Sequence, residues 1–164
     1  MIRYFDAHAH IQFPQFDADR AEVIARMKEE GVAAIVVGTD YVTSLRAVRL
    51  AETNDNLFAS VGLHPTDAGK EYFDASKFAH LLSHKKVVAV GECGLDYFRA
   101  GGTEDEKEVQ KAILREQITL AVIHDKPLML HCRNAYEDLI AVLFDEIKKY
   151  GEKVRGNIHF FAGT

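Results

Sequence analysis

In Val87-Val88-Ala89-Val90-Gly91-Glu92-Cys93-Gly94-Leu95-Asp96, an apolar run of strand length gives way at a glycine to a segment bearing two carboxylates. A run apolar at successive positions is a strand buried on both faces, which implies a parallel sheet covered by helices. The same arrangement recurs on either side. Downstream, Pro127 starts Leu128 to Leu130, which ends in His131-Cys132-Arg133-Asn134, and Arg155 to Phe161 reads as a sixth strand leading through His159-Phe160-Phe161 into Ala162-Gly163. Upstream, Leu57 to Val61 ends in Gly62-Leu63-His64-Pro65, Ala33 to Val37 is closed by Gly38, and Ile2 to Phe5 precedes Asp6-Ala7-His8-Ala9-His10.

Helices fill the intervals. Asp17 or Asp19 caps the first, with Val23, Ile24 and Met27 on one face; Thr43 or Ser44 opens the second; Phe78, Leu81 and Leu82 mark the third. The longest runs from about Glu104 to His124 with Val109, Ile113, Leu120 and Ala121 inward, and a fifth spans about Tyr136 to Tyr150. Alternating strands and helices fit either a doubly wound open sheet or a barrel. An open sheet confines its site to one switch point, whereas here almost every strand ends in a His, Glu or Gly, as in an eight-stranded βα barrel. The expectation is an α/β, TIM-type βα barrel with about six of its eight units present, residues 1–164 forming one domain.

Bulk properties exclude several classes. With 48% hydrophobic and 27% charged residues the chain is of ordinary globular composition. It has neither a long apolar span nor a basic-then-apolar leader, and the expected location is cytoplasmic. The two cysteines, Cys93 and Cys132, do not suggest a disulfide framework. A net charge of −5 argues against binding nucleic acid through a broad basic face, though a metal cluster would supply positive charge locally.

The strand-end motifs carry the chemistry. His8 and His10 are two apart on a strand, so they project to one side as a metal-ligand pair. Glu92 could bridge two divalent ions with its two oxygens while histidines complete their shells; water so bound attacks phosphorus or a carbonyl carbon. Each residue also has a plainer reading. Glu92 could be a buried acid paired with a lysine, His131 and His159 core histidines bonded to backbone, and Arg133 a solvated cation. His64 either begins a loop or donates a hydrogen bond to substrate. Arg133 at the mouth suits a phosphate or carboxylate, Asp96 caps a turn or orients a histidine, and Asp6 orients His8 or binds metal. His80, His84 and His124 are read as surface residues.

With these motifs assembled, the chain resembles the TatD family of metal-dependent hydrolases, a branch of the amidohydrolase-like barrels. The resemblance runs through Asp6 to His10, Gly62 to Ala68, Gly91 to Tyr97, Pro127 to Ala135 and Ile158 to Gly163. It implies a two-metal site with His8, His10, Glu92, His131 and His159 at the ligand positions. It also implies Mg, Mn or Zn as cofactors, a deoxyribonuclease activity with Glu92 catalytic, and DNA or another phosphodiester as substrate. Cys132 and Phe160 stand where other residues are common in the family. A C–N or ester hydrolase of the wider group is the alternative, but its carboxylated lysine after strand four is replaced here by Glu92. A non-catalytic binding or folding remnant is the third reading.

One departure is larger. The family takes a last aspartate ligand from an eighth strand, and a complete barrel needs roughly 200 residues, whereas this sequence has 164. The expectation is a fragment with unpaired edges at strands one and six, prone to self-association. In that fragment His8 and His10 must reach across an open arc, so at most one ion is bound well and activity is low.

Overall fold

The computed structural model describes residues 1–70 and 72–161, within which six strands alternate with five α-helices. They are β1 (Tyr4–Ala9), α1 (Arg20–Glu29), β2 (Val32–Val37), α2 (Tyr41–Thr53), β3 (Leu57–Val61), α3 (Ala75–Leu82), β4 (Val87–Asp96), α4 (Glu104–Ile123), β5 (Leu128–Arg133), α5 (Tyr136–Tyr150) and β6 (Gly156–Ile158). Every neighbouring pair is parallel, and the spatial order β1-β2-β3-β4-β5-β6 repeats the order in sequence. A doubly wound sheet reverses its strand order at a switch point; one that never reverses curls one way, as a barrel wall does.

Strand residues alternate between two environments. Ala34, Val36, Leu57, Ala59, Val61 and Val87 pack outward in one cluster with Leu114, Ile118 and Leu139 of the helices. Phe5, Ile35, Phe58 and Val88 line an inner apolar groove of about 600 Å³. The first four residues of β1 are exposed. The arc curls so far that rim histidines from its two outermost strands meet: the His8 and His159 rings stack with centroids 4.1 Å apart.

The structure differs from the sequence reading in five places. The Asp6 to His10 motif begins inside β1 rather than after it. Gly91 does not close β4, which continues to Asp96 with a register shift between Val90 and Cys93. Two glycines permit this: Gly91 and Gly94 have φ of +143° and +141°, and a Cβ there would collide with the carbonyl oxygens of Met129 and His131 on the adjacent β5. Helix α2 starts at Tyr41 because Asp40 is the N-cap and Thr43 the returning partner of a capping box. On α4, Val109 is exposed, and the inward residues are Gln110, Leu114, Gln117, Ile118, Leu120 and Ala121. Strand β6 spans three residues, extended by His159, whose N–H donates to the Leu130 carbonyl at 3.0 Å. Ala162 and Gly163, the end of its motif, lie outside the described residues.

The two glutamines explain why an otherwise apolar stripe contains polar groups. Gln117 accepts from Leu63 N–H at 2.8 Å and donates to Leu63 C=O at 3.0 Å; Gln110 accepts from Asp96 N–H at 2.8 Å and donates to Asp96 C=O at 3.2 Å. Each buried amide is satisfied, and each fixes the end of a strand at the rim. Among the described residues, no helix is long and apolar enough to cross a membrane.

Candidate metal centre

At the rim one buried carboxylate is ringed by imidazoles. Glu92 is 4% exposed. Its Oε1 lies 2.6 Å from His159 Nε2, 3.1 Å from His131 Nδ1 and 3.4 Å from His64 Nε2; its Oε2 lies 3.3 Å from His8 Nε2 and 3.6 Å from His10 Nε2. Burial raises the carboxyl's pKa, but hydrogen bonds from His131, His159, His64 and His8 outweigh it and hold the group well below the usual carboxylate range. The structure therefore brings His8, His10, His64, Glu92, His131 and His159 to one point. The expected gap between the first strand and the rest is not present, because the curl of the sheet returns β1 to the neighbourhood of β6.

The hydrogen-bond network fixes several proton positions. His10 Nδ1 must donate to the Val37 carbonyl at 2.9 Å, leaving a lone pair on Nε2. That lone pair faces His8 Nε2 at 3.0 Å and Glu92 Oε2 at 3.6 Å. Burial, followed by the neighbouring His8, lowers the pKa of His10 and favours the neutral ring that metal binding requires. Meanwhile His8 Nδ1 is buried and, among the described residues, has no hydrogen-bond partner. Converging lone-pair atoms beside an orphaned ring nitrogen fit a divalent cation, and His8, His10 and Glu92 have donor atoms close enough to share one.

A second group, His64, Glu92 and His131, is also within ligand reach. The proton positions divide its members. Thr66 N–H donates to His64 Nδ1 at 3.2 Å, so the proton of a neutral His64 sits on Nε2, which then acts as a donor rather than a ligand. His131 lies between two carboxylates, Glu92 at Nδ1 and Asp96 Oδ2 at 3.0 Å from Nε2. Burial lowers its pKa, but Glu92 and then Asp96 outweigh this and raise it, which favours the protonated ring when no metal is bound.

The supporting residues sit as follows. Asp96 is fully buried; besides His131 it accepts from Phe98 N–H at 3.0 Å and Arg99 N–H at 2.7 Å, so it both caps the turn and orients the ring. Asp6 is exposed and accepts from the backbone N–H of His8 at 2.9 Å. It thus fixes the strand of His8 and not its ring. Arg133 is half-buried over the Phe98 ring, Cζ to centroid 3.8 Å. The thiol of Cys132 is pushed up to about 11 by burial, with a further push from Asp96, which leaves it a poor nucleophile at neutral pH. His80 is exposed and His84, half-buried, pairs with Glu52 at 2.8 Å away from the centre.

Sequence reasoning missed Thr66, the Val37 carbonyl and the two α4 glutamines. Only the last left a visible signal, polar residues seven apart within an apolar stripe. A backbone carbonyl leaves none.

Comparison with known proteins gives consistent matches. The family model described as TatD related DNase matches residues 5–164. A Bacillus subtilis protein named uncharacterized metal-dependent hydrolase YabD is 41% identical over 98% of this chain and 61% of its own length. A Pantoea ananatis protein named 3'-5' ssDNA/RNA exonuclease TatD is 36% identical over 98% of this chain and 60% of its own. Among solved structures, the TatD homologue YjjV of Escherichia coli K12 superposes with a TM-score of 0.84 at 34% identity, covering 98% of this chain and 61% of that one. The fold is also shared with a TatD family hydrolase from Entamoeba histolytica, TM-score 0.75 at 24% identity. The chain thus spans about 60% of the length of the relatives it matches.

Proposed function

We propose, from the premise that this chain belongs to the TatD-related DNase family, that its rim serves metal-dependent hydrolysis of phosphodiester bonds at nucleic-acid ends. The observation carrying this reading is the buried carboxylate of Glu92 with His8 and His10 at one oxygen and His64, His131 and His159 at the other. We read residues 1–164 as one domain contributing the N-terminal portion of a βα barrel. Such a domain suits a reducing cytoplasmic setting, its two cysteines being free.

In this reading His8, His10, Glu92, His131 and His159 hold Mg, Mn or Zn, with two ions in the complete barrel. The chemistry a divalent ion supplies there is acidification of water and polarisation of a phosphoryl oxygen. Everything else falls to side chains. Glu92 presents one oxygen to each group of imidazoles and keeps them in register. Asp96 holds the His131 ring, and α4 holds Asp96 through Gln110. His64, with its proton on Nε2, donates a hydrogen bond to a phosphate oxygen. Arg133 places a permanent charge where the strand enters. Glu92 in place of a carboxylated lysine favours a phosphodiester over a cyclic amide. The decisive assay offers DNA ends and cyclic amides to the protein with Mn or Zn; cleavage of DNA that disappears with chelator supports the reading, and turnover of the amide alone overturns it.

A further inference from the structure

We propose that Phe98, backed by Arg133, is a stacking platform for the terminal nucleobase of a strand whose end lies in the site; this rests on the phosphodiester reading and assigns that base the side chain that meets it. Phe98 lies two residues past the end of β4 and is 60% exposed, although the Arg133 guanidinium lies over its ring with Cζ 3.8 Å from the centroid. One face is thus occupied by a cation, while the residue as a whole stays largely accessible to solvent. A ring paired with a guanidinium is a sequence-tolerant surface for bases, each of which has a π face.

Three features separate this from a stray surface aromatic. First, the ring is held. Phe98 N–H and Arg99 N–H both donate to Asp96 Oδ1, and Tyr97 N–H donates to the Arg133 carbonyl at 2.9 Å, so the turn cannot swing freely. Second, it is tied to the chemistry: the other oxygen of the same Asp96 holds His131, which contacts Glu92. The distance from platform to centre is therefore set by one carboxylate. Third, the surroundings suit a phosphate chain. Among the described residues Arg133 makes no ion pair, and the exposed Arg99 beside Phe98 makes none either. A base inside a duplex has both faces covered by its neighbours, so this surface selects unpaired nucleotides.

The test titrates the chain in chelator, so that binding is read apart from metal-dependent cleavage, with a short single strand carrying 2-aminopurine at its terminal base, made as DNA and as RNA. Wild-type protein is expected to quench the fluorophore in both. Phe98→Ala should abolish the quench and weaken binding about ten- to hundredfold, while Phe98→Tyr retains both. Against a strand abasic at its end, wild type and Phe98→Ala should bind alike. Equal binding of the 2-aminopurine strand by wild type and Phe98→Ala, or an equal loss on the abasic strand, overturns the proposal. Metal-stimulated strand cleavage by the wild type decides the hydrolase reading separately. Absence of cleavage with a normal stacking signal would remove that reading and leave the platform.

Discussion

Glu92, Asp96 and His131 stand on strands paired on both sides, whereas His8 stands on, and His10 directly after, an edge strand whose first four residues are exposed. In the inner half, position is imposed by the scaffold: β4 and β5 are in register from Cys93 to Asp96, and α4 grips the end of β4. In the edge half it is imposed by short-range contacts. His8 is fixed by Asp6, and His10 by the Val37 carbonyl and the Phe13 ring, stacked at 4.7 Å. The inner half is thus preorganised and the edge half is assembled, and loss of a contact should be felt more strongly on the inner side.

The largest effect belongs to the residue shared by both halves. Glu92→Gln keeps the shape but removes the charge, and metal affinity by titration calorimetry should fall by more than about 100-fold, beyond the range of outer-shell changes. Asp96→Asn leaves every metal-facing group in place and frees the His131 ring; affinity or turnover should drop about 10- to 100-fold. An effect as small as that of an exposed residue would show that the inner half is not preorganised.

The two halves should also titrate in opposite directions when measured without metal. The raised pKa of His131 contributes stability that is fully present below its unfolded value of 6.5 and is lost as pH rises through the folded value. The lowered pKa of His10 contributes stability that is present above 6.5 and is lost as pH falls through the folded value. Urea unfolding in chelator should therefore show His131→Asn losing most, relative to wild type, near pH 6, while the loss in His10→Asn grows toward pH 8. Parallel pH profiles would contradict the proton positions assigned to the two rings. The smallest effect is expected at the edge: Asp6→Ala removes one exposed contact to a backbone amide and should change metal affinity by less than about tenfold.

Much of this architecture was legible in the sequence for a physical reason. Strand β3 and helix α5 were read with their observed limits because apolar runs and periodic faces are local signals with local stops, such as Gly151 after α5. The extent of β4 was hidden because glycine ordinarily ends a strand, and only the neighbouring β5 shows that Gly91 and Gly94 are there to let the backbones approach. The start of α2 lies two or three residues before the position that Thr43 or Ser44 suggests, because Thr43 resembles a cap and serves instead as the third residue of a capping box. In the centre, the residue types and the order of the motifs pointed to the set that converges on Glu92. The division of labour within it was not legible, since the donor role argued for His64 comes from the amide of Thr66 and the tautomer of His10 from a carbonyl 27 residues away.

Helix α4 grips two strand ends with side chains on one face, Gln117 on the residue before His64 and Gln110 on Asp96. The helix is in effect a ruler laid across the rim. Any tilt or slide of it carries the His64 donor and the Asp96–His131 pair as one body, keeping their spacing while changing their distance to the edge strand. Sequence drift in the long loops can then proceed without detuning the inner half, whereas exchanging either glutamine for an apolar residue of similar size would let the two strand ends move independently.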